Sequence, residues 1–153
     1  MNQETNRIWT NLYDRCLGKD IVDLPVPAIH LFYFIDMTCY VLNGGAGGFL
    51  YNRSPTNTTD NYYRPYIDSL EYFSFHETAL LISEYNTRYH RVISRWELDK
   101  QISFDTYFNQ EIPEKFCSAL YSQIDIVVAS EQLIHKWIDQ NKDELKRVID
   151  RGC

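Results

Sequence analysis

The sequence predicts an all-α protein that folds as a single compact domain over residues 1–153. Apolar residues recur at helical spacing on both sides of a segment rich in Gly and Asn, and no segment alternates convincingly with the period of a strand, although Ile102 and Phe104 come closest. Hydrophobic residues make up 44% of the chain and charged residues 24%, which excludes disorder and fibrous repeats. We expect six or seven helices.

The first two helices are predicted over about residues 4–17 and 25–42. Gly18 ends the first, and the second begins at Pro25 and Pro27, whose missing N–H groups would lack partners at a helix start anyway. The second helix is apolar on nearly all faces, which predicts a central position in the core. The first helix carries its apolar face on Ile8, Trp9, Leu12, Tyr13, Cys16 and Leu17.

A Gly- and Asn-rich segment follows the second helix and is predicted to be irregular, with a tight non-helical turn from Asn43 to Gly48. Glycine suits such a turn because it reaches positive φ without steric cost. A phosphate-binding loop is the alternative interpretation, but such loops follow a strand and open a helix, and the nearest basic residue here is Arg53.

Four or five more helices are predicted downstream. One starts near Asp60 and holds Pro65 in its first turn. The sequence from Ser74 to Glu77 matches a capping box, which predicts the start of the longest helix, reaching about Trp96. Its inward seam comprises Thr78, Ile82, Tyr85, Tyr89, Val92 and Trp96. Two more helices are marked by apolar residues over 116–124 and 127–138, and a second capping sequence at 141–144 predicts a short final helix to about Arg151.

Charge and cysteine content narrow the functional classes. The net charge is −6, opposite in sign to that of nucleic-acid-binding proteins, so direct binding of DNA or RNA is not expected. The longest apolar run, from Ile29 to Leu42, is too short for a membrane span and contains His30 and Asp36. The four cysteines contain no C-x-x-C pair, and no secretory leader precedes them, so we expect reduced thiols and a cytoplasmic location. They are Cys16, Cys39, Cys117 and Cys153.

Candidate chemical sites are few, and we expect no catalytic residue, no cofactor and no metal. Nucleophile motifs are missing, and zinc-ligand spacing is missing too. Glu131, His135 and Asp139 lie four apart on one helix face, which suits either a metal or weak ion pairs. Arg88, Arg91 and Arg95 form a basic stripe that suits either an anion or internal pairing, with Glu84 placed to pair with the first of them.

The carboxylates are segregated along the chain. Residues 60–84 carry five acids against one arginine, and residues 97–131 carry seven acids against two lysines, so these segments hold more than the whole net charge. We predict that they form an acidic face that binds a basic surface on another protein; an ordinary solubilising surface is the alternative. The proposed partner-binding residues are Asp68, Glu71, Asp99, Asp105, Glu111 and Glu114.

The string from Asn43 to Asn52 resembles the hallmark of the DNA mimic protein 19 family, a bacterial family with an N-G-G motif. The residues that match are Asn43, Gly44, Gly45, Phe49 and Asn52, while Ala46 and Gly48 depart from the usual bulky residue and Gln. The resemblance covers about residues 25–140. It implies an all-helical, often dimeric domain without known catalysis.

The resemblance also implies a function. In the member that named the family, surface carboxylates imitate DNA phosphates and occupy a DNA-binding protein. We therefore expect a non-enzymatic acidic inhibitor that occupies the basic nucleic-acid-binding surface of a partner protein. An immunity protein that neutralises a cognate bacterial toxin is one alternative. A homodimeric scaffolding domain is another, since 12 of the 23 aromatic residues are Tyr, a residue enriched in interface cores.

Overall fold

The protein is all-α, as the sequence predicts. The computed structural model describes residues 3–56 and 61–151, and these contain seven helices and no strand. The helices are α1 (Gln3–Cys16), α2 (Val26–Asn52), α3 (Arg64–Tyr72), α4 (His76–Leu98), α5 (Phe104–Glu111), α6 (Glu114–Ala129) and α7 (Glu131–Arg151). The predicted third-helix start at Asp60 lies outside the described residues, but Pro65 does occupy the first turn of α3.

Helix α2 is the centre of the packing, as its apolar composition predicts. It packs against α1, α3 and α6, while α4 packs against α3, α5 and α6, and α7 closes the bundle against α1 and α6. Within the described part of the chain, α2 is the one helix long and apolar enough to cross a membrane, yet half of its most apolar stretch is buried inside the domain. Burial of that kind favours the core helix that the sequence predicts.

The break in α2 is much smaller than the predicted turn from Asn43 to Gly48. Helical geometry continues to Asn52 with one exception, Gly45, whose φ of 69° and ψ of 175° kink the helix. This region of backbone space is essentially restricted to glycine. The irregular segment therefore begins at Arg53, after the glycines rather than at them.

The predicted capping box at Ser74 is wrong. Ser74 makes no cap hydrogen bond to α4, whose N-cap residue is Phe75, and it adopts a positive φ of 66°. Instead it ends α3: its N–H donates to the Glu71 carbonyl (3.0 Å), and the Phe75 N–H donates to the Leu70 carbonyl (2.8 Å). This pair of bonds is the Schellman arrangement, with Ser74 at the left-handed position.

One other local prediction differs from the structure, and one helix was not predicted. The capping sequence at 141–144 starts no helix, because α7 runs unbroken through it and Asn141 donates to the Trp137 carbonyl instead (2.8 Å). A serine cap does occur at Ser103, whose hydroxyl accepts the Thr106 N–H (3.2 Å) and opens α5 where the sequence came closest to a strand pattern.

The described cysteines differ in oxidation state. Cys39 and Cys117 have free thiols, as expected, and burial raises the pKa of both. Cys16 is disulfide-bonded, which contradicts the expectation of reduced thiols throughout, since linear spacing does not report which cysteines meet in space. Cys153 lies outside the described residues.

Candidate protein-binding surface

The six predicted partner-binding carboxylates lie on four helices or at their ends, and they differ in how free they are. Three of them contact a basic side chain of the same chain. Asp68 pairs with Arg64 at 2.9 Å, and Glu71 lies 2.5 Å from the ring of His76, a contact that is an ion pair only when the histidine is protonated. Such exposed pairs contribute little stability, but they reduce the negative charge offered to a partner.

Glu111 is the most strongly engaged of the six. Its side chain is only 20% exposed, and its carboxylate lies 2.8 Å from Arg95 and 4.0 Å from Arg91. The Glu111 carbonyl accepts a hydrogen bond from Arg88 at 2.8 Å. All three arginines of the predicted basic stripe therefore hold the end of α5.

The basic stripe is also paired from its own helix. Arg88 contacts Glu84 at 2.5 Å, which confirms the predicted pair. The guanidinium of Arg88 lies 4.8 Å from the Phe116 ring centroid, and that of Arg95 lies 4.5 Å from the Tyr107 centroid. The stripe therefore packs α5 and α6 onto α4, a role that helical spacing alone does not reveal.

The remaining carboxylates of the six are exposed and form no ion pair within the described part of the chain: Asp99, Asp105 and Glu114. Asp99 follows the last turn of α4 and accepts the Gln101 N–H (3.1 Å). Asp105 and Glu114 lie in the first turns of α5 and α6, where a carboxylate is favoured by the helix dipole. These three carry the negative charge that the region from 99 to 114 offers to a partner.

The hallmark residues lie beside a buried charged cluster that the sequence analysis missed. The cluster centres on Asp36, which is 2% exposed. Its carboxylate accepts hydrogen bonds from Arg53 (2.8 Å), Tyr66 (2.5 Å) and Tyr13 (3.2 Å). The Arg53 guanidinium also lies 4.6 Å from the Tyr40 ring centroid. One carboxylate thus ties α1, α3 and the segment after α2 to the middle of α2.

The cluster perturbs the tyrosines that bond to it. Burial and the charge of Asp36 raise the pKa of Tyr13, and burial together with the hydrogen bond to Asp36 raises the pKa of Tyr66. The available signal was a charged residue inside an apolar helix, because a buried charge requires a partner. Sequence alone does not identify Arg53 as that partner.

The hallmark itself has three structural roles in this chain. Phe49 is fully buried against the rings of Tyr66 (5.1 Å) and Tyr63 (6.1 Å), and Asn52 donates to the Gly48 carbonyl (2.7 Å) at the end of α2. Gly45 supplies the kink described above. The hallmark residues therefore shape the turn of α2 rather than a chemical site.

An aromatic cleft opens next to the kink, between α2, the middle of α4, α5 and α6. It has a volume of about 310 Å³. Its wall contains Tyr51, Tyr89, Phe104, Phe108 and Tyr121, and Asp105 lies at the same opening. We call these residues the aromatic cleft. Gly47 forms part of its floor, where an added Cβ would lie 3.4 Å from the Tyr121 hydroxyl.

The predicted stripe of Glu131, His135 and Asp139 is divided between different contacts. His135 lies 3.0 Å from Glu131 and packs edge-on against Trp9, while Asp139 accepts a hydrogen bond from Thr5. Among the described residues, no group of three or more His, Cys, Asp or Glu side chains is placed to hold a metal ion.

These features define an acidic, all-helical domain whose exposed carboxylates and aromatic cleft suit the binding of another protein. The chain belongs to the DMP19-like protein family, whose model matches residues 22–141. This range contains the hallmark and the resemblance seen in the sequence. The comparisons with curated proteins and with solved structures found no match. The DMP19-like family is not a known enzyme family; membership points to a DNA-mimic-type protein, and such mimicry implies a protein partner.

Proposed function

We propose that this protein is a cytoplasmic inhibitor that occupies the basic, nucleic-acid-binding surface of a partner protein. The observation that carries the proposal is the set of exposed, unpaired carboxylates at Asp99, Asp105 and Glu114 in a chain of net charge −6 that belongs to the DMP19-like family. Duplex DNA presents one negative charge per ~1.7 Å of axis, and a surface that binds phosphates is also attracted to carboxylates.

We assign the six proposed binding residues different roles according to the contacts that each makes within the chain. Asp99, Asp105 and Glu114 are exposed and form no ion pair among the described residues, so we propose them as the principal contacts. Asp68 and Glu71 lie beside basic neighbours that offset part of their negative charge, and we propose them as peripheral contacts. Glu111 is a poor choice for a binding test, because its reversal would place a third positive charge beside Arg91 and Arg95.

The first experiment asks whether this protein and DNA compete for one partner. The protein is tagged and purified from its native host, the partner is identified by mass spectrometry, and a labelled duplex bound to that partner is titrated with the pure protein. Stoichiometric displacement of the duplex is the expected result. A ternary complex of partner, duplex and this protein would refute the mimicry.

The second experiment tests the carboxylates directly. The double variant Asp99→Lys with Glu114→Lys should slow association with the partner at least tenfold at low salt, because rim charges act mainly on the association rate. The matched control reverses Asp14 and Asp23, which are also exposed but lie on α1 and in the loop after it, outside the region from 99 to 114. Equal rates for both double variants, or a wild-type affinity insensitive to salt, would exclude the acidic-face mechanism.

The same experiments separate the alternative of an immunity protein. A partner that is a toxin with no nucleic-acid-binding surface would make neutralisation of that toxin the function, and the displacement assay would then give no signal. Sedimentation of the isolated protein tests the homodimer alternative independently, since a dimer should persist without any partner.

A further inference from the structure

The aromatic cleft offers a second kind of recognition beside the acidic face. Its rings are held by one another: the Tyr89 centroid lies 5.9 Å from that of Phe104 and 6.0 Å from that of Phe108. Two of the lining tyrosines are exposed: Tyr51 is 82% exposed and Tyr121 is 37% exposed. The cleft is therefore a wall of packed aromatic rings with an accessible edge.

The electrostatics of this wall favour a cation. The face of an aromatic ring is electronegative and attracts a guanidinium or ammonium within about 6 Å of its centroid. Asp105 adds a full negative charge at the opening, and none of the described residues that line the cleft carries a positive charge. The volume of about 310 Å³ is at the lower end of the range for small-molecule sites, about 300 to 1,000 Å³, and suits a single long side chain.

The chain itself shows which cation fits such surroundings. Three of its arginines lie over an aromatic ring while pairing with a carboxylate: Arg53 over Tyr40 with Asp36, Arg88 over Phe116 with Glu84, and Arg95 over Tyr107 with Glu111. Guanidinium suits this arrangement because it is planar, stacks on a ring and donates two hydrogen bonds to one carboxylate. The aromatic cleft repeats the ring and the carboxylate of these three sites.

We propose that the aromatic cleft receives an arginine side chain of the partner protein, stacked on its rings and paired with Asp105. This inference rests on the proposed function, since it assumes a basic protein partner. The proposal gives the exposed tyrosines a role in addition to that of the carboxylates. The acidic face accelerates association with the partner, and the cleft slows dissociation by holding one arginine.

The direct test uses the whole protein and a blocked arginine tripeptide, acetyl-Gly-Arg-Gly-amide, followed by chemical shifts of the aromatic rings. The shifts of Tyr51, Tyr89 and Tyr121 should move and saturate. The matching citrulline peptide, which has the same shape without charge, should bind at least tenfold more weakly. Equal binding of the two peptides, or no saturable shift at tens of millimolar peptide, would refute the proposal.

Variants then separate the cleft from the acidic face. Asp105→Asn and Tyr51→Ala should each weaken the arginine peptide by about five- to thirty-fold, in keeping with the range of cation–aromatic and charge-assisted contacts. Their controls are Asp23→Asn, an exposed carboxylate outside both the cleft and the acidic face, and Tyr62→Ala, a tyrosine 49% exposed elsewhere. Tyr51 and Tyr62 are both exposed enough that neither change should threaten folding.

The outcomes for the partner protein distinguish the two proposals. If both hold, Tyr51→Ala speeds dissociation, while Asp99→Lys with Glu114→Lys slows association. If Tyr51→Ala behaves like Tyr62→Ala while the charge reversal still slows association, the acidic face stands and the arginine cleft is refuted. If the arginine peptide binds the cleft but charge reversal and salt have no effect on the partner, the proposed function fails while the cleft remains a guanidinium site.

Discussion

Two adjacent glycines in α2 should respond to the same substitution with opposite signs. Gly45 has a φ of 69° and a ψ of 175°, whereas Gly44 before it is helical and its added Cβ would meet nothing within 4 Å. Alanine at 45 must therefore adopt a conformation that L-residues rarely occupy. Alanine at 44 keeps its helical geometry, and its added methyl group contacts no neighbouring atom. The pair isolates backbone geometry because the added methyl group is identical and the positions are neighbours.

The magnitudes follow from these two conformations. A non-glycine residue in such a strained region costs about 1 to 3 kcal/mol, and we expect Gly45→Ala to lower the free energy of unfolding by about 2 kcal/mol. Gly44→Ala should raise it by about 0.5 to 1 kcal/mol, the usual preference of a helix for alanine over glycine. Gly48→Ala is a second control, since Gly48 is also helical and its added Cβ also meets open space.

Urea unfolding monitored by far-UV circular dichroism measures all three changes. With an m-value of about 2 kcal/mol per molar urea, Gly45→Ala should lower the midpoint by about 1 M and Gly44→Ala should raise it by about 0.3 to 0.5 M. In thermal unfolding, 2 kcal/mol corresponds to about 4 to 8 °C for a domain of this size. Equal changes of the urea midpoint for Gly44→Ala and Gly45→Ala would refute the single-residue kink.

Three further predictions concern stability. Ser74→Gly should stabilise the protein by about 0.5 to 1 kcal/mol, because the φ of residue 74 is positive. The capping-box interpretation instead expects Ser74→Ala to lower the free energy of unfolding by removing the cap. The urea midpoints of the two variants decide between these interpretations. Asp36→Asn should lower the free energy of unfolding by about 3 to 5 kcal/mol, because it leaves Arg53 without its buried partner. Adding Arg53→Met should recover part of that loss. Additive losses in the double variant would contradict the pairing. Stability should fall steeply above about pH 10, because burial raises the pKa of Tyr63 and Tyr66, so both tyrosines ionise first in the unfolded chain. Each tyrosine should lower the free energy of unfolding by about 1.4 kcal/mol per pH unit above that point. A free energy of unfolding that is flat from pH 9 to 11 would contradict this.

Much of the architecture was predictable from sequence because it depends on neighbours along the chain. The period of 3.6 residues identifies helices wherever an apolar face is sustained, and the prolines before α2 and in the first turn of α3 mark helix starts by their missing N–H groups. The uniformly apolar character of α2 predicts its central position. The family resemblance over residues 25–140 likewise rests on a contiguous motif, and the family match over residues 22–141 confirms it.

Only the tertiary structure decided what individual polar residues do, because their partners are distant in sequence. Asp36 meets Arg53 and Tyr66 through the folding of α2 and α3 against each other, and Glu111 is withdrawn from the acidic face by arginines about 20 residues before it. Ser74 has the same local sequence in both interpretations, and only its positive φ and the backbone hydrogen bonds to α3 identify the helix-ending role. The aromatic cleft is of the same kind: four elements that are separate in sequence bring its rings and Asp105 together, and no local pattern contains that arrangement.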